Sequence, residues 1–268
     1  MMDDLKNNLI DIGDLNLHYQ ITGPLGAPWV TVAHSLATNM SMWKSQLPVL
    51  SEHFRVLSFD ARGHGGSDIP KTSSAMSNLV EDVLGLWDGL NIERSHFVGL
   101  SMGGMTGIGV ALKAPHRVQS LVACDCRLDA PRFFQDMWDQ RIEVVNSDGM
   151  QGILSQTMAT WFTPQHLDAG GDVIDHVSQM IVNTRADGFI ACAKALKGLD
   201  YKSLIATVAV PTLYVVGDQD GPHPSEMAEL AELTPEAEFV ILENAAHLSN
   251  MEQPQMFNRT VLEFLLAH

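Results

Sequence analysis

Apolar residues along this chain gather into short runs separated by polar stretches containing Gly and Pro, and those runs set the expected elements. Runs rich in Val, Leu and aromatic residues recur at Trp29–Ala33, Arg55–Phe59, Ser95–Leu100, 120–124, 212–216 and 239–242. Continuous apolar runs of this length mark strands buried on both faces, as in a parallel sheet. Between them the period changes. From Ser77 to about Leu90, with Ser77 as cap, Val80, Val83, Leu84 and Trp87 share one helical stripe. In Met102–Lys113 the stripe is Met105, Ile108, Ala111 and Leu112, and Pro115 lies just past its end. A last helix is expected over 255–267, and an amino-terminal hairpin over 9–22 that turns at Gly13 and Asp14. From Asp129 to about Lys197 the strand pattern stops, and helix-like pieces replace it, broken at Gly149, Gly152, Pro164 and Gly170-Gly171. The prediction is an α/β fold: a mostly parallel central sheet flanked by helices, with a helical cap inserted after the sixth strand. The chain then divides into a core, 1–128 and 198–268, and a cap, 129–197.

Composition narrows the function. A length of 268 residues with 46% hydrophobic content suits one α/β core. The 16 Lys and Arg against 32 Asp and Glu give a net charge of −16, and no basic patch appears, which argues against nucleic acid or an anionic membrane as partner. The amino terminus lacks a basic segment followed by an apolar one, and no apolar run approaches membrane-spanning length, so a cytoplasmic protein without a membrane partner is expected. Cys124, Cys126 and Cys192 are ill-spaced for a disulfide framework or a zinc site and are expected as reduced thiols.

Chemistry enters at Gly99-Leu100-Ser101-Met102-Gly103-Gly104, where a serine stands between glycines at the junction of a strand and a helix. That is the sequence of a nucleophile elbow, a turn so sharp that the serine hydroxyl stands above the sheet. A serine hydroxyl needs a base and an orienting acid to react at neutral pH. Asp218 and Asp220 follow the run 212–216, Asp125 follows the run 120–124, and His247 lies between the last strand and the last helix. His64, His96, His116 and His223 read as surface or structural histidines.

The arrangement resembles the α/β-hydrolases, and within them the 3-oxoadipate enol-lactonases. The broad resemblance rests on the elbow, on the order serine, aspartate, histidine, and on Asp60-Ala61-Arg62-Gly63-His64-Gly65-Gly66-Ser67. The narrower one rests on Ser35-Leu36 with Met42-Trp43, Trp138 with Arg141, Trp161-Phe162-Thr163, and Ala246-His247-Leu248-Ser249-Asn250 with Glu252-Gln253-Pro254. The resemblance implies a triad of Ser101, Asp220 and His247, Asp220 being last in a G-x-x-D stretch. It implies an oxyanion hole from the amide of Leu36, in the loop His34-Ser35-Leu36, and that of Met102, just after the elbow serine, with Arg62 as a brace and His64 as scaffold. His34, Ser35, Arg127, Trp138 and Trp161 are the residues expected to line the substrate pocket. The alternative for Arg127 and Arg141 is ion pairing with Asp129, Asp136 or Glu143. His34 stands where the enol-lactonases have asparagine, and the stretch Cys124 to Pro131 departs from theirs.

The expected activity is hydrolysis of a small carboxylic ester or lactone through an acyl-enzyme, in its sharpest form a 3-oxoadipate enol-lactone-like acid. No metal or organic cofactor is implied. The alternatives are carbon–carbon bond hydrolysis or perhydrolysis on the same triad, and a noncatalytic ligand-binding protein. Serine at 101, where the dehalogenase and epoxide hydrolase branches would have aspartate, disfavours those branches.

Overall fold

The computed structural model describes residues 8–71 and 74–268. Eight strands, β1 (Asn8–Asp11), β2 (Asn16–Thr22), β3 (Trp29–Ala33), β4 (Arg55–Phe59), β5 (Ser95–Leu100), β6 (Val118–Cys124), β7 (Thr212–Gly217) and β8 (Glu238–Leu242), form one sheet in the order β1-β2-β4-β3-β5-β6-β7-β8. β1 and β2 are the antiparallel hairpin, β2 runs antiparallel to β4, and every pair from β4 to β8 is parallel. β5 and β7 are buried at every position, the physical reason their sequences show no polar alternation.

The helices are α1 (Leu47–Leu50), α2 (Met76–Gly89), α3 (Met102–Lys113), α4 (Arg132–Asp148), α5 (Met150–Trp161), α6 (Pro164–Ala169), α7 (Asp172–Asn183), α8 (Ala186–Leu196), α9 (His223–Leu233), α10 (Ser249–Glu252) and α11 (Pro254–Ala267). Five of them, α4 to α8, follow one another between β6 and β7 and form the helical insertion after the sixth strand. Among the described residues no helix is long and apolar enough to cross a membrane.

Two local expectations need correction. Ser77 lies inside α2 rather than capping it; the cap is Ala75, whose N–H donates to Asn78 Oδ1 at 2.8 Å, so the polar side chain acts from three residues inside the helix. Gly152 does not break a helix. A Cβ there would lie 2.7 Å from Val144 Cγ1 and 2.8 Å from Asp148 Cβ, so its missing side chain lets α5 pack close to the end of α4.

The parallel register brings the strand ends level. Ala33 pairs with Phe59 and Gly99, Leu100 with Cys124, Cys124 with Val215, and Gly217 with Leu242. The chain leaves β3 toward β4 on one side and returns to β5 on the other, so the strand order reverses between β3 and β5. Ligand sites of open α/β sheets lie beyond the carboxyl ends of the strands at such a reversal.

Candidate active site

Ser101 is the single residue between β5 and α3, and it holds φ +56° and ψ −116°. A non-glycine residue in that region costs on the order of 1–3 kcal/mol and persists only where its surroundings fix it. Here the Ser101 N–H donates to Cys124 O at 2.8 Å, and the Met105 N–H donates to Ser101 O at 2.9 Å. The turn tolerates no side chain on either flank. A Cβ on Gly99 would lie 2.2 Å from Gly103 O, and one on Gly103 would lie 2.1 Å from Ala33 O.

Asp220 follows β7 and His247 follows β8, and the structure joins them: His247 Nδ1 lies 2.9 Å from Asp220 Oδ2. An ionised carboxylate only accepts, so Nδ1 carries the proton and Nε2 of the neutral ring is left as an acceptor. Burial opposes the charge on Asp220, but His247 and His223 outweigh it and hold the acid well below the usual carboxylate range. The Ser101 hydroxyl has no hydrogen-bond partner among the described residues. The Trp161 ring stacks on His247, with centroids 6.1 Å apart and planes at 27°, and the Leu248 N–H donates to Trp161 O at 3.1 Å. Helix α5 therefore meets the sheet at the histidine.

The other two aspartates are engaged elsewhere. Asp218 is exposed, and its Oδ1 accepts the Ala245 N–H at 3.1 Å, bracing the histidine loop from outside. Asp125 is fully buried; it accepts the Gly217 N–H at 2.9 Å and the Ser249 hydroxyl at 2.5 Å. Burial and the neighbouring charge of Asp220 push its carboxyl well above the usual range. It ties the end of β7 to the start of α10 and makes no hydrogen bond to His247 among the described residues.

The loop after β3 is held by two histidines that brace in opposite directions. His34 Nε2 accepts the Ala61 N–H at 2.8 Å while its Nδ1 donates to Ser35 O at 2.7 Å. His64 Nε2 accepts the Ala37 N–H at 3.1 Å while its Nδ1 donates to Arg62 O at 3.0 Å. Both rings are buried, and burial pushes both below the ordinary histidine value, His64 down to about 3. His34 braces the loop through both of its nitrogens, which the backbone takes. Neither the Leu36 N–H nor the Met102 N–H has an acceptor among the described residues, which leaves both free for an oxyanion. Ser35 Oγ is buried and also unpartnered.

Arg62 makes two bonds to the buried carboxylate of Asp82, Nε at 2.6 Å and an NH2 group at 2.5 Å. It braces the loop, as expected. Arg127 makes the ion pair with Asp129 that stood as the alternative to a pocket role: its guanidinium donates to Asp129 O and Oδ1, both at 2.8 Å, lies 3.7 Å from Glu226, and sits over Phe133 and Phe134. Its charge is used within the core-to-cap joint.

Arg141 contrasts with it. This α4 residue is 9% exposed, makes no ion pair or hydrogen bond among the described residues, and leaves Nε buried without a partner. Burial lowers its hold on the proton. Its guanidinium lies 5.4 Å from the centre of the Trp138 ring, and Trp138 packs edge-on against Phe134 and Phe189, with its own Nε1 buried and unpartnered.

Two residues carry more than the sequence revealed. Glu252 is buried; one carboxylate oxygen accepts the Thr163 N–H at 2.9 Å and hydroxyl at 2.8 Å, and the other accepts the Ala246 N–H at 2.7 Å. It locks Trp161-Phe162-Thr163 to the histidine loop, so those two stretches of sequence form one structural unit. His223 opens α9 and shares the Asp220 carboxylate, with Nδ1 at 3.3 Å from Oδ2. An aspartate three residues before a histidine at a helix start is the signal that points to it.

The family model described as alpha/beta hydrolase fold matches residues 28–254. The 3-oxoadipate enol-lactonase 1 of Acinetobacter baylyi is 32% identical over 241 residues, 90% of each chain. Among solved structures, the enol-lactonase from Burkholderia xenovorans LB400 superposes with a TM-score of 0.91 at 33% identity, covering 97% of this chain and 100% of that one. A malate-bound thermophilic esterase from Thermogutta terrifontis gives 0.90 at 28% identity and 98% coverage of both.

Proposed function

The chain belongs to the α/β-hydrolase fold family, and on that premise we propose that it hydrolyses a small carboxylate-bearing lactone or ester through an acyl-enzyme on Ser101. The observation that carries the chemistry is the 2.9 Å contact of Asp220 with His247, which follow β7 and β8 at the same edge of the sheet as the strained Ser101 after β5. His247 Nε2 takes the hydroxyl proton as Ser101 Oγ attacks the carbonyl carbon, Asp220 stabilises the imidazolium, and the Leu36 and Met102 amides receive the oxyanion. Collapse breaks the acyl–oxygen bond, and His247 returns its proton to the leaving oxygen. In a lactone that oxygen stays tethered to the acyl group. A water deprotonated by His247 then releases the acid and restores Ser101.

The substrate class follows from Arg141. A buried guanidinium without a counter-charge is costly, and a bidentate carboxylate is the partner its planar fork fits. With the unpartnered Trp138 Nε1 beside it, this end of the cap suits an anionic acyl chain such as that of a 3-oxoadipate enol-lactone. The similarity to enol-lactonases supports the same reading.

A fluorophosphonate probe should label the protein but not Ser101→Ala. In a panel of short p-nitrophenyl esters, simple lactones and an enol-lactone acid, kcat/KM should be highest for the acid. A clear preference for esters without a carboxylate would sink the substrate class while leaving the hydrolase intact.

A further inference from the structure

We infer that Asp220, His223 and His247 form a binding site for a zinc-like divalent cation, and that the cation switches the triad off. Asp220 Oδ2 lies 2.9 Å from His247 Nδ1 and 3.3 Å from His223 Nδ1, and one donor atom from each of the three residues falls within 4.8 Å of the others. Tetrahedral zinc with bonds of about 2.0–2.1 Å sets its ligand atoms about 3.3 Å apart, so the set closes on an ion with small adjustments. Two imidazoles and one carboxylate suit a borderline ion such as zinc and not calcium or magnesium, which require more oxygen ligands.

The site has an approach. Asp220 is buried, but the His223 side chain is 19% exposed, and Gly221 and Pro222 beside it are exposed. His223 is not needed for the proton transfers of the triad. Its ring lies 5.7 Å from that of His247, and its remaining hydrogen bond, Nδ1 to Asp220 O at 3.1 Å, is local to its own turn.

The inhibition follows from the tautomer. Catalysis needs the His247 proton on Nδ1 and a lone pair on Nε2. A cation at Nδ1 takes the Nδ1 lone pair, and the proton moves to Nε2, with no change in the charge of the ring. Nε2 then cannot accept from Ser101, and Asp220 is bound to the cation instead of orienting the imidazole. This inhibitory half rests on the triad proposed above; the binding half rests on the three ligands alone.

The test uses chelator-stripped full-length protein, zinc ions as the only added ligand, and a chromophoric chelator as competitor. The wild type should bind one zinc at this site, and zinc should inhibit ester hydrolysis over the same concentration range. In His223→Asn, zinc binding should weaken by at least about tenfold, and inhibition, read against that variant's own zinc-free turnover, should weaken by the same factor, as expected for removal of a ligand. His223→Cys keeps a ligand and should keep the sensitivity, and magnesium at the same concentration should leave all three proteins unchanged. Equal zinc binding by wild type and His223→Asn overturns the site. Zinc binding that depends on His223 in a protein without hydrolase activity upholds the site and overturns the triad reading. An active enzyme that binds zinc through His223 without inhibition overturns the switch.

Discussion

The two sides of Ser101 are completed to different degrees. On the sheet side, most of the buried charged and imidazole groups have partners within the protein: His34 and His64 with backbone, Arg62 with Asp82, Asp125 with Gly217 and Ser249, and Glu252 with Thr163 and Ala246. The unpartnered atoms there, among them Ser35 Oγ, Trp43 Nε1 and Asn250 Oδ1, belong to neutral side chains, apart from Glu226 Oε2. On the cap side, Arg141 Nε, Trp138 Nε1 and Thr157 Oγ1 are buried without partners among the described residues. Leaving a charged group buried and unpaired costs more than any hydrogen bond returns on average, so the cap is less stable than it would be with apolar residues there. The difference teaches that the Asp220–His247 contact is built into the fold, whereas the cap keeps buried polar atoms that no described residue satisfies.

The largest expected effect tests whether the sheet side holds the chemistry. Asp220→Asn should lower kcat about 10⁴-fold, because it stabilises the wrong histidine tautomer. Asp218→Asn, altering only a loop brace, should retain most of the activity. Full activity in the Asp220 variant would move the acid to another residue. The next effect is on stability. Arg62→Met leaves the Asp82 carboxylate buried and unpaired and should cost about 3–5 kcal/mol in urea unfolding. Adding Asp82→Leu should recover much of that loss, and a double variant as weak as the single one would show that the pair has a role beyond its own neutralisation.

The cap should respond differently. Arg141→Gln should lower kcat/KM for a carboxylate-bearing lactone by about 10–100-fold, the range of a lost charge-assisted bond of about 1.5–3 kcal/mol. Turnover of a neutral p-nitrophenyl ester and urea stability should change little or improve. Equal losses on both substrates would place Arg141 in the structure rather than in recognition, and the contrast between the two sides would fail.

This contrast also explains what was legible in the sequence. The strand runs, the elbow, Asp220 and His247 could be read because each depends on local signals: an apolar run, a glycine pair, a position after a strand. Leu84 and Trp87 show the limit of periodicity, since both fall on the expected stripe but only Trp87 is fully buried. Nothing local to His34 or Arg127 shows that Ala61 or Glu226 will meet them across the fold. Gly152 looked like a helix break because its purpose, contact with Val144, is a tertiary one. For Arg141 the alternative reading is ion pairing, and only the packed cap shows that no carboxylate among the described residues reaches it.

The smallest expected effect is a pH slope, and it separates the two sides by sign and origin. Burial holds His64 down to about 3 and also lowers His34 in the folded protein, whereas an unfolded histidine titrates near about 6.5. As pH falls below that unfolded value, the unfolded chain binds protons that the folded clamp refuses. Stability is therefore complete near neutral pH and declines toward pH 3, by up to about 1.4 kcal/mol per pH unit for each histidine. Removing one of them, as in His64→Gln, should lower stability at pH 7 but make its decline between pH 6 and 4 shallower by about 1 kcal/mol per unit. Asp125 and Asp82, which burial pushes the other way, are present in both proteins and cancel in the difference. Arg141→Gln should run parallel to wild type through the same window, because arginine does not titrate there. If the His64 variant keeps the wild-type slope, the clamp is not the acid-sensitive part of the sheet side, and His96, which burial lowers to about 4, becomes the next residue to replace.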